Sequence, residues 1–233
     1  MLGAGGLSAS GSMRLPDFAD GGDPYVKSDK WDMSWIKRVQ GKARGVFDIV
    51  TTVSNGGWPR VAMWHDQALE VYGGPKEVTA IAVIRHGGIT LAATDAYWEE
   101  FKPGTGGRGG RGGPPPAADT AAAVVPAVPP PPMRNPIGFP KPGAASESKA
   151  DTVSGFIAAG GIVLACNLAF SFSIKPNVAR AKNLTGDAAD KAAREYLIPG
   201  VILMPSGVFA LIAAQQAGCG VCPGAVPSMT GAS

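Results

Sequence analysis

Two patterns of apolar residues alternate along this chain. Short runs that are almost continuously apolar or β-branched occupy residues 46–51, 78–84, 162–165 and 201–204. Runs of this length without regular polar alternation are typical of strands that are covered on both faces, as in a parallel sheet. We therefore predict four parallel strands.

The segments between these runs repeat their apolar residues at intervals of three and four. This spacing predicts helices over residues 60–72, 91–102 and 148–159, around 187–196, and after the turn at 205–207. Strands that alternate with helices form right-handed βαβ crossovers, which layer helices over a parallel sheet. The predicted fold class is α/β, a three-layer α/β/α domain with a mainly parallel sheet.

A short stretch ahead of the first strand carries two tryptophans. In residues 28–40, Ser28 is a candidate N-cap, and Trp31, Trp35 and Val39 recur on one helical stripe. Two tryptophans on so short a helix imply docking against a larger body. We predict a docking helix that clasps the domain.

Residues 103–147 interrupt the domain. Nine glycines and twelve prolines fall between Pro103 and Ala145, in stretches such as GTGGRGGRGGPPP and VPPPP. This composition offers too little apolar surface to offset the entropy of ordering the chain. We predict one domain, built from residues 41–102 and 148–218, and an insert that forms no core of its own.

The low net charge and the short apolar runs argue against a nucleic-acid interface and a membrane-spanning helix. The net charge of +3 is too small for a nucleic-acid interface, and the two arginines of GGRGGRGG release few counterions. No run reaches the roughly 20 apolar residues of a membrane-spanning helix, although association with a membrane complex stays open.

The first ten residues, MLGAGGLSAS, are small and apolar, like the end of a twin-arginine export signal that lacks its arginine pair. We expect residues 1–27 to be a signal remnant or an extended N-terminal arm. The predicted location is the periplasm, and the cytoplasm is the alternative.

Polar and nucleophilic residues gather where the predicted strands end. In parallel sheets, ligands lie outside the carboxyl ends of the strands. The predicted ends carry Asn55, His86, Cys166, Asn167 and Ser206. Cys166 and His86 are the candidate catalytic pair, since a histidine on a neighbouring strand could deprotonate the thiol. The alternatives are a buried structural cysteine and a histidine that satisfies backbone groups.

Three stretches together resemble the DsrE/DsrF-like family of sulfur-oxidation-associated proteins: VTAIAVIRHGG, GGIVLACNLAF and YLIPGVILMPSGVFALIAAQQAG. The segment KWDMSWIKRVQGKARGVFD is similar to exported, twin-arginine-type members. The resemblance implies a small flavodoxin-like domain that forms homo-oligomers and meets protein partners. It also implies that a cysteine at the position of Cys166 carries sulfur as a persulfide. The insert and the CGVC ending depart from the family pattern.

No cofactor is expected. The SNGGWP turn lacks the Ser/Thr-rich loop that cradles phosphate, and Pro59 removes a backbone donor, which argues against a flavin. His65 and His86 are far apart and have no ligand-spaced acids, so no metal site is predicted. Residues 219–233 are predicted to be a tail, in which Cys219 and Cys222 form a local disulfide or a redox pair.

Two hypotheses about function follow. The first is a sulfur-relay or thiol-redox protein that uses Cys166, with a helix N-terminus or a cation such as Lys175 or Arg180 favouring the thiolate. The second is a non-catalytic structural or accessory subunit of a larger assembly, which docks through the insert and the N-terminal arm. No complete Cys-His-Asp triad is visible, which argues against a hydrolase, and whether the protein is an enzyme stays open.

Overall fold

The computed structural model describes residues 28, 30–103, 133–140 and 148–224. Within these ranges, five strands form one sheet in the order β4-β3-β2-β1-β5, and every neighbouring pair is parallel. The strands are β1 (Ala43–Ile49), β2 (Val78–Ile84), β3 (Ile162–Cys166), β4 (Ile202–Met204) and β5 (Gly220–Cys222). This sheet, with helices on both faces, confirms the predicted three-layer α/β class. The fifth strand was not predicted, because residues 219–233 were assigned to a tail.

Seven α-helices occur in the described ranges: α1 (Trp58–Tyr72), α2 (Asp95–Phe101), α3 (Val153–Ala158), α4 (Asn167–Ser173), α5 (Lys175–Lys182), α6 (Gly186–Arg194) and α7 (Gly207–Gln216). Short 3-10 turns also occur, and the turn at His86–Ala92 occupies the start of the helix predicted over 91–102. Helix α6 lies where a helix was predicted around 187–196, whereas α4 and α5 were not predicted. None of the helices in these ranges combines the length and apolar content needed to cross a bilayer.

The sheet separates two cores, because successive side chains of a strand point to opposite faces. Helices α1 and α3 cover the first face, where Phe47, Ile84 and Ala165 are buried. Helix α7 covers the second face, above Val83 and Leu164. The strands are therefore apolar on both sides, as their nearly continuous apolar runs predicted.

The segment before β1 covers another part of the second face. Trp35 is fully buried there, and Trp31 and Val39 pack against the same core. The predicted docking helix over 28–40 is wrong in type, since only Ser34–Arg38 is helical and it is a 3-10 turn. The physical reason is local: the Asp32 carboxylate accepts the Ser34 N–H at 2.9 Å and starts a separate turn after Trp31.

Residues 133–140, at the end of the predicted insert, pack on the domain. Asn135 and Ile137 are 4% and 3% exposed. The Asn135 side-chain amide donates to Leu91 O at 2.9 Å and to Ala93 O at 2.6 Å, and its oxygen accepts the Ile137 N–H at 3.1 Å. One amide side chain therefore satisfies three buried backbone groups.

The predicted separation of residues 103–147 from the domain is therefore wrong for residues 133–140. Composition describes the whole segment on average, so it does not reveal the buried Asn135 amide or the buried Ile137 side chain. The remainder of the insert, at 104–132 and 141–147, and the predicted arm at 1–27 lie outside the described residues.

We predict that replacing Asn135 with Ala lowers the free energy of unfolding by about 2–4 kcal/mol, because three buried backbone groups lose their partner. Urea unfolding followed by circular dichroism measures this change. As a control, residues 104–132 are replaced by a short Gly/Ser linker, and the composition of that segment predicts an unchanged unfolding midpoint. A deletion that destabilises the domain as much as the Asn135→Ala substitution would show that the segment contributes to the core after all.

Candidate functional site

Four strand ends bring their side chains to one face of the sheet. Val46, Val83, Leu164 and Met204 are buried beneath or beside α7, each on a different strand. In extended backbone, side chains two residues apart point to the same face of a sheet. The residue two positions after each of these four therefore faces the same side. Those residues are Asp48, Arg85, Cys166 and Ser206.

A cavity of about 590 Å³ opens at this edge of the sheet. Its polar lining comes from Arg85, His86, Cys166, Ser173 and Ser206, and its apolar lining from Leu168, Ala169, Phe172 and Val208, with Gly87 and Gly207 between them. A cavity of this volume is large enough for a small organic ligand. The described part of the chain thus joins a thiol, a guanidinium and an imidazole in one concave site.

Cys166 lies at the junction between β3 and α4. Its Sγ is the N-cap of α4 and accepts the Ala169 N–H at 3.4 Å. The residue is only 6% exposed, so reagents approach the sulfur through the cavity. A backbone N–H at the start of a helix directs its positive end toward the sulfur, which favours negative charge there.

Arg85 is held in place by Asp48, from the neighbouring strand β1. Its Nε donates to Asp48 Oδ1 at 2.7 Å, and its Nη2 donates to Asp48 Oδ2 at 2.6 Å. These hydrogen bonds raise the pKa of Arg85, with smaller contributions from the charges of Asp48 and Cys166, while burial acts in the opposite direction. The guanidinium is therefore a permanent cation within electrostatic reach of the thiol.

Gly207 allows Arg85 to take this position. A Cβ at Gly207 would lie 2.6 Å from both Cβ and Cδ of Arg85, so the arginine stem lies against the first turn of α7. That turn is capped by the Ser206 hydroxyl, which accepts the Phe209 N–H at 3.1 Å. The small first residue of α7 is thus part of the site.

His86 is exposed and has a positive φ of 49°. Its Nδ1 lies 2.8 Å from Arg85 Nη1. Because a guanidinium can only donate, Nδ1 accepts, and a neutral imidazole with its proton on Nε2 fits this contact. In the described residues the His86 ring bonds to Arg85 and the Cys166 Sγ to Ala169. The structure thus brings the predicted catalytic pair to one cavity but does not join the two side chains by a hydrogen bond.

The other residues predicted at strand ends differ in whether they line the cavity. Ser206 lines the cavity, whereas Asn55 lies in the left-handed turn Val53–Gly57 and Asn167 begins α4, and neither of these two lines it. The predicted cation Lys175 is paired with Asp190 at 3.4 Å. Arg180 is likewise absent from the cavity lining.

Asp48 and Arg85 were not predicted as site residues. A signal was present, because Asp48 is a lone carboxylate within an apolar strand and a buried carboxylate requires a partner. Arg85 directly follows the second apolar run. Their pairing becomes visible only when β1 and β2 are known to be neighbours.

The predicted disulfide between Cys219 and Cys222 is absent, and both are free thiols. Cys219 is buried in the core under α7, whereas Cys222 packs against the core on the opposite face of the sheet. Three residues of extended chain span about 10 Å, beyond the roughly 7 Å that a disulfide bridges. Pairing of β5 with β1 imposes this extended backbone. The physical reason for the correction is therefore the fifth strand.

No group of three or more His, Cys, Asp or Glu side chains that could hold a metal ion occurs in the described ranges. His65 is buried and stacks edge-on against Phe156, with ring centroids 5.6 Å apart. Its contacts are those of a structural residue in the first core.

Comparison with known proteins identifies no family. No protein-family model matches the chain, and no curated protein matches it in sequence. The chain is similar to the solved structure of a protein of unknown function, MTH1491 from Methanobacterium thermoautotrophicum. The identity is 15% and the TM-score 0.36, over 78% of this chain and 98% of that chain. A likeness at this level carries no argument about function, and the fold assignment rests on the sheet itself.

The three thiols should differ in reactivity toward iodoacetamide at pH 8. Burial raises the pKa of Cys219 to about 11, with Arg44 acting weakly in the opposite direction, so only about one Cys219 in a thousand is a thiolate at pH 8. We expect Cys166 and Cys222 to be alkylated and Cys219 to stay largely unmodified until the protein unfolds. Peptide mapping by mass spectrometry measures each site. A Cys219–Cys222 disulfide in the natively purified protein would contradict the described strand β5.

Proposed function

We propose that this protein is a sulfur-relay protein in which Cys166 carries the sulfur, as its resemblance to the DsrE/DsrF-like family implies. One observation supports this most: the Cys166 Sγ lines a cavity beside a fixed guanidinium and accepts a backbone N–H. A persulfide is an anion, and the guanidinium would stabilise its negative charge while the Ala169 N–H bonds to Sγ.

The proposed transfer needs no oxidant or reductant. A donor persulfide R–S–S⁻ is attacked at its outer sulfur by the Cys166 thiolate. The new bond joins the Cys166 Sγ to that sulfur, the donor S–S bond breaks, and the thiolate R–S⁻ leaves. Two anions react and two anions form, so charge and electrons balance. Delivery to an acceptor thiolate is the same step in reverse.

We propose that a second copy of the chain packs on the outer face of α7, beside the cavity. That face exposes Phe209 and Ile212, which do not line the cavity. The inner face of α7 is also apolar, at Ala210, Ala213 and Ala214. A helix that is apolar on both its inner and outer faces is typical of burial from both sides.

The accessory-subunit hypothesis stays a second candidate, and the same apolar surface favours it, because a protein partner would dock there. Its predicted docking segments are the N-terminal arm at 1–27 and the insert at 103–147, of which residues 1–27, 104–132 and 141–147 lie outside the described residues. Export to the periplasm depends on the first of these segments, so it stays a prediction as well.

The proposed function predicts that Cys166 gains one or more sulfur atoms after incubation with thiosulfate or a low-molecular-weight persulfide. Intact-mass measurement followed by peptide mapping locates the added sulfur. Cys166→Ser should abolish the addition, whereas Cys222→Ser, which removes the partly exposed thiol of β5, should leave it unchanged. A Cys166 that is alkylated readily and never takes up sulfur would rule out the relay.

The proposed self-association predicts that Phe209→Asp and Ile212→Asp shift the protein to a smaller species, because each places a charge within an apolar interface. Sedimentation velocity measures the species present. Val71→Asp is the matched control: Val71 is 73% exposed on α1, and we expect no shift. A wild-type protein that is monomeric at all concentrations contradicts the homo-oligomer and leaves a different protein as the partner.

A further inference from the structure

The cavity lining carries a positive charge and no negative charge. Among its eleven lining residues there is one permanently charged side chain, Arg85, and no carboxylate. The nearest carboxylate in the hydrogen-bond network, Asp48, lies behind the guanidinium and does not line the cavity. A ligand in the cavity therefore contacts the Arg85 guanidinium and no carboxylate.

Arg85 retains donors that its known contacts do not use. A guanidinium carries five N–H groups. Two of them go to Asp48 and one goes to the His86 ring, which leaves two. With Nδ1 accepting from Arg85, the His86 ring carries its proton on Nε2 and adds an N–H donor. The polar side of the cavity therefore offers several N–H groups that can donate to an oxyanion.

The opposite wall of the cavity is apolar. Leu168, Phe172 and Val208 line it and are 52%, 80% and 54% exposed, and Ala169 lies between the first two in sequence. Inorganic anions alone gain nothing from such a wall, whereas a ligand with a hydrocarbon part would bury it there. The two walls together select a molecule with an anionic head and an apolar body.

We propose that this cavity binds an organic anion whose oxyanion head is received by Arg85 and whose apolar body lies against Leu168, Phe172 and Val208. Asp48 is the positioning residue, because it orients the guanidinium without lining the cavity. Resting on the sulfur-relay function proposed above, the substrate class is an organic thiosulfonate, R–SO₂–S⁻.

This class fits the thiol chemistry with balanced atoms and charge. The Cys166 thiolate attacks the terminal sulfur of R–SO₂–S⁻ and forms the Cys166 S–S bond, while the bond between that sulfur and the sulfonyl group breaks. The electron pair leaves with the sulfinate R–SO₂⁻. Two anions enter and two anions result, and Arg85 is positioned to accept the leaving sulfinate.

Binding is tested separately from sulfur transfer, with hexane-1-sulfonate, which has the head and body but no transferable sulfur. Isothermal titration calorimetry on the full chain compares it with 1-hexanol and with hexylammonium. We expect hexane-1-sulfonate to bind about 10- to 100-fold more tightly than either, since a charge-assisted contact accounts for a difference of that size. Equal affinity for the alcohol and the sulfonate would overturn the proposal.

Variants assign the effect to Arg85. Removing Arg85 alone leaves Asp48 buried and uncompensated, so the double variant Asp48→Asn with Arg85→Gln replaces the ion pair by a neutral amide pair. It should lose the preference for the sulfonate while circular dichroism shows a folded protein. Arg194→Gln is the matched control, because Arg194 also pairs with an aspartate, Asp190, but outside the cavity. Unchanged sulfonate affinity in the folded double variant overturns the proposal.

A third variant moves the guanidinium without removing its charge. Gly207→Ala places a Cβ against the Arg85 stem, and it should weaken sulfonate binding by about tenfold if the position of the head contact matters. An affinity equal to that of the wild type would contradict a head contact by Arg85 at its observed position.

The last step separates this proposal from the relay function. Benzenethiosulfonate is the reactive probe, and peptide mapping measures sulfur on Cys166. Sulfonate binding without sulfur transfer from any donor supports the anion site and contradicts the relay. Sulfur transfer from benzenethiosulfonate that is as fast in the double variant as in the wild type supports the relay and contradicts the anion site. Cys222→Ser, outside the cavity, should bind hexane-1-sulfonate as the wild type does.

Discussion

The pair of hydrogen bonds between Asp48 and Arg85 determines the arrangement of this edge of the sheet. A carboxylate that is 8% exposed on a central strand is costly unless a cation pairs with it. Arg85 supplies that cation from the neighbouring strand, and the Arg85 N–H also bonds to Ile49 O at 2.8 Å. The ion pair therefore orients the guanidinium that forms one wall of the cavity, and the guanidinium in turn holds the His86 ring. A stem this close to α7 leaves room only for glycine at position 207.

The parts of the fold that depend on local apolar patterning were predictable from the sequence. The bounds of β2 agree with the prediction for 78–84, and β3 and β4 differ from theirs by one residue at one end. Strand β5 was not predictable, since three residues with exposed positions become a strand only by pairing with Gly45–Phe47 of β1. The break between α5 and α6 depends on a left-handed Asn183, with a φ of 50°, inside a polar, Ala-rich stretch. Such a stretch has too few apolar positions to reveal helix ends.

The site residues that directly follow a strand were predictable from the sequence. The residues that pair with each other between two neighbouring strands were not. Cys166 and Ser206 follow from the general position of ligand sites in parallel sheets. Arg85 stands beside His86 in the sequence, yet a cation after a strand is usually a solvated residue. Only the order of the strands, with β1 beside β2, turns Asp48 and Arg85 into one unit. The predicted cation Lys175, close to the thiol in sequence, pairs instead with Asp190 of α6.

The position of the donors around Cys166 favours transfer of an anion over hydrolysis. A hydrolytic cysteine requires a base that takes its proton and a further group that orients the base. In the described residues the sulfur accepts an N–H, while the imidazole accepts from Arg85 and is thereby occupied. Attack on a sulfane sulfur needs neither proton transfer to substrate nor an activated water, because thiolate, persulfide and leaving group are all anions. In the relay proposed above, the fixed guanidinium and the amide at the start of α4 would stabilise each of these anions in turn.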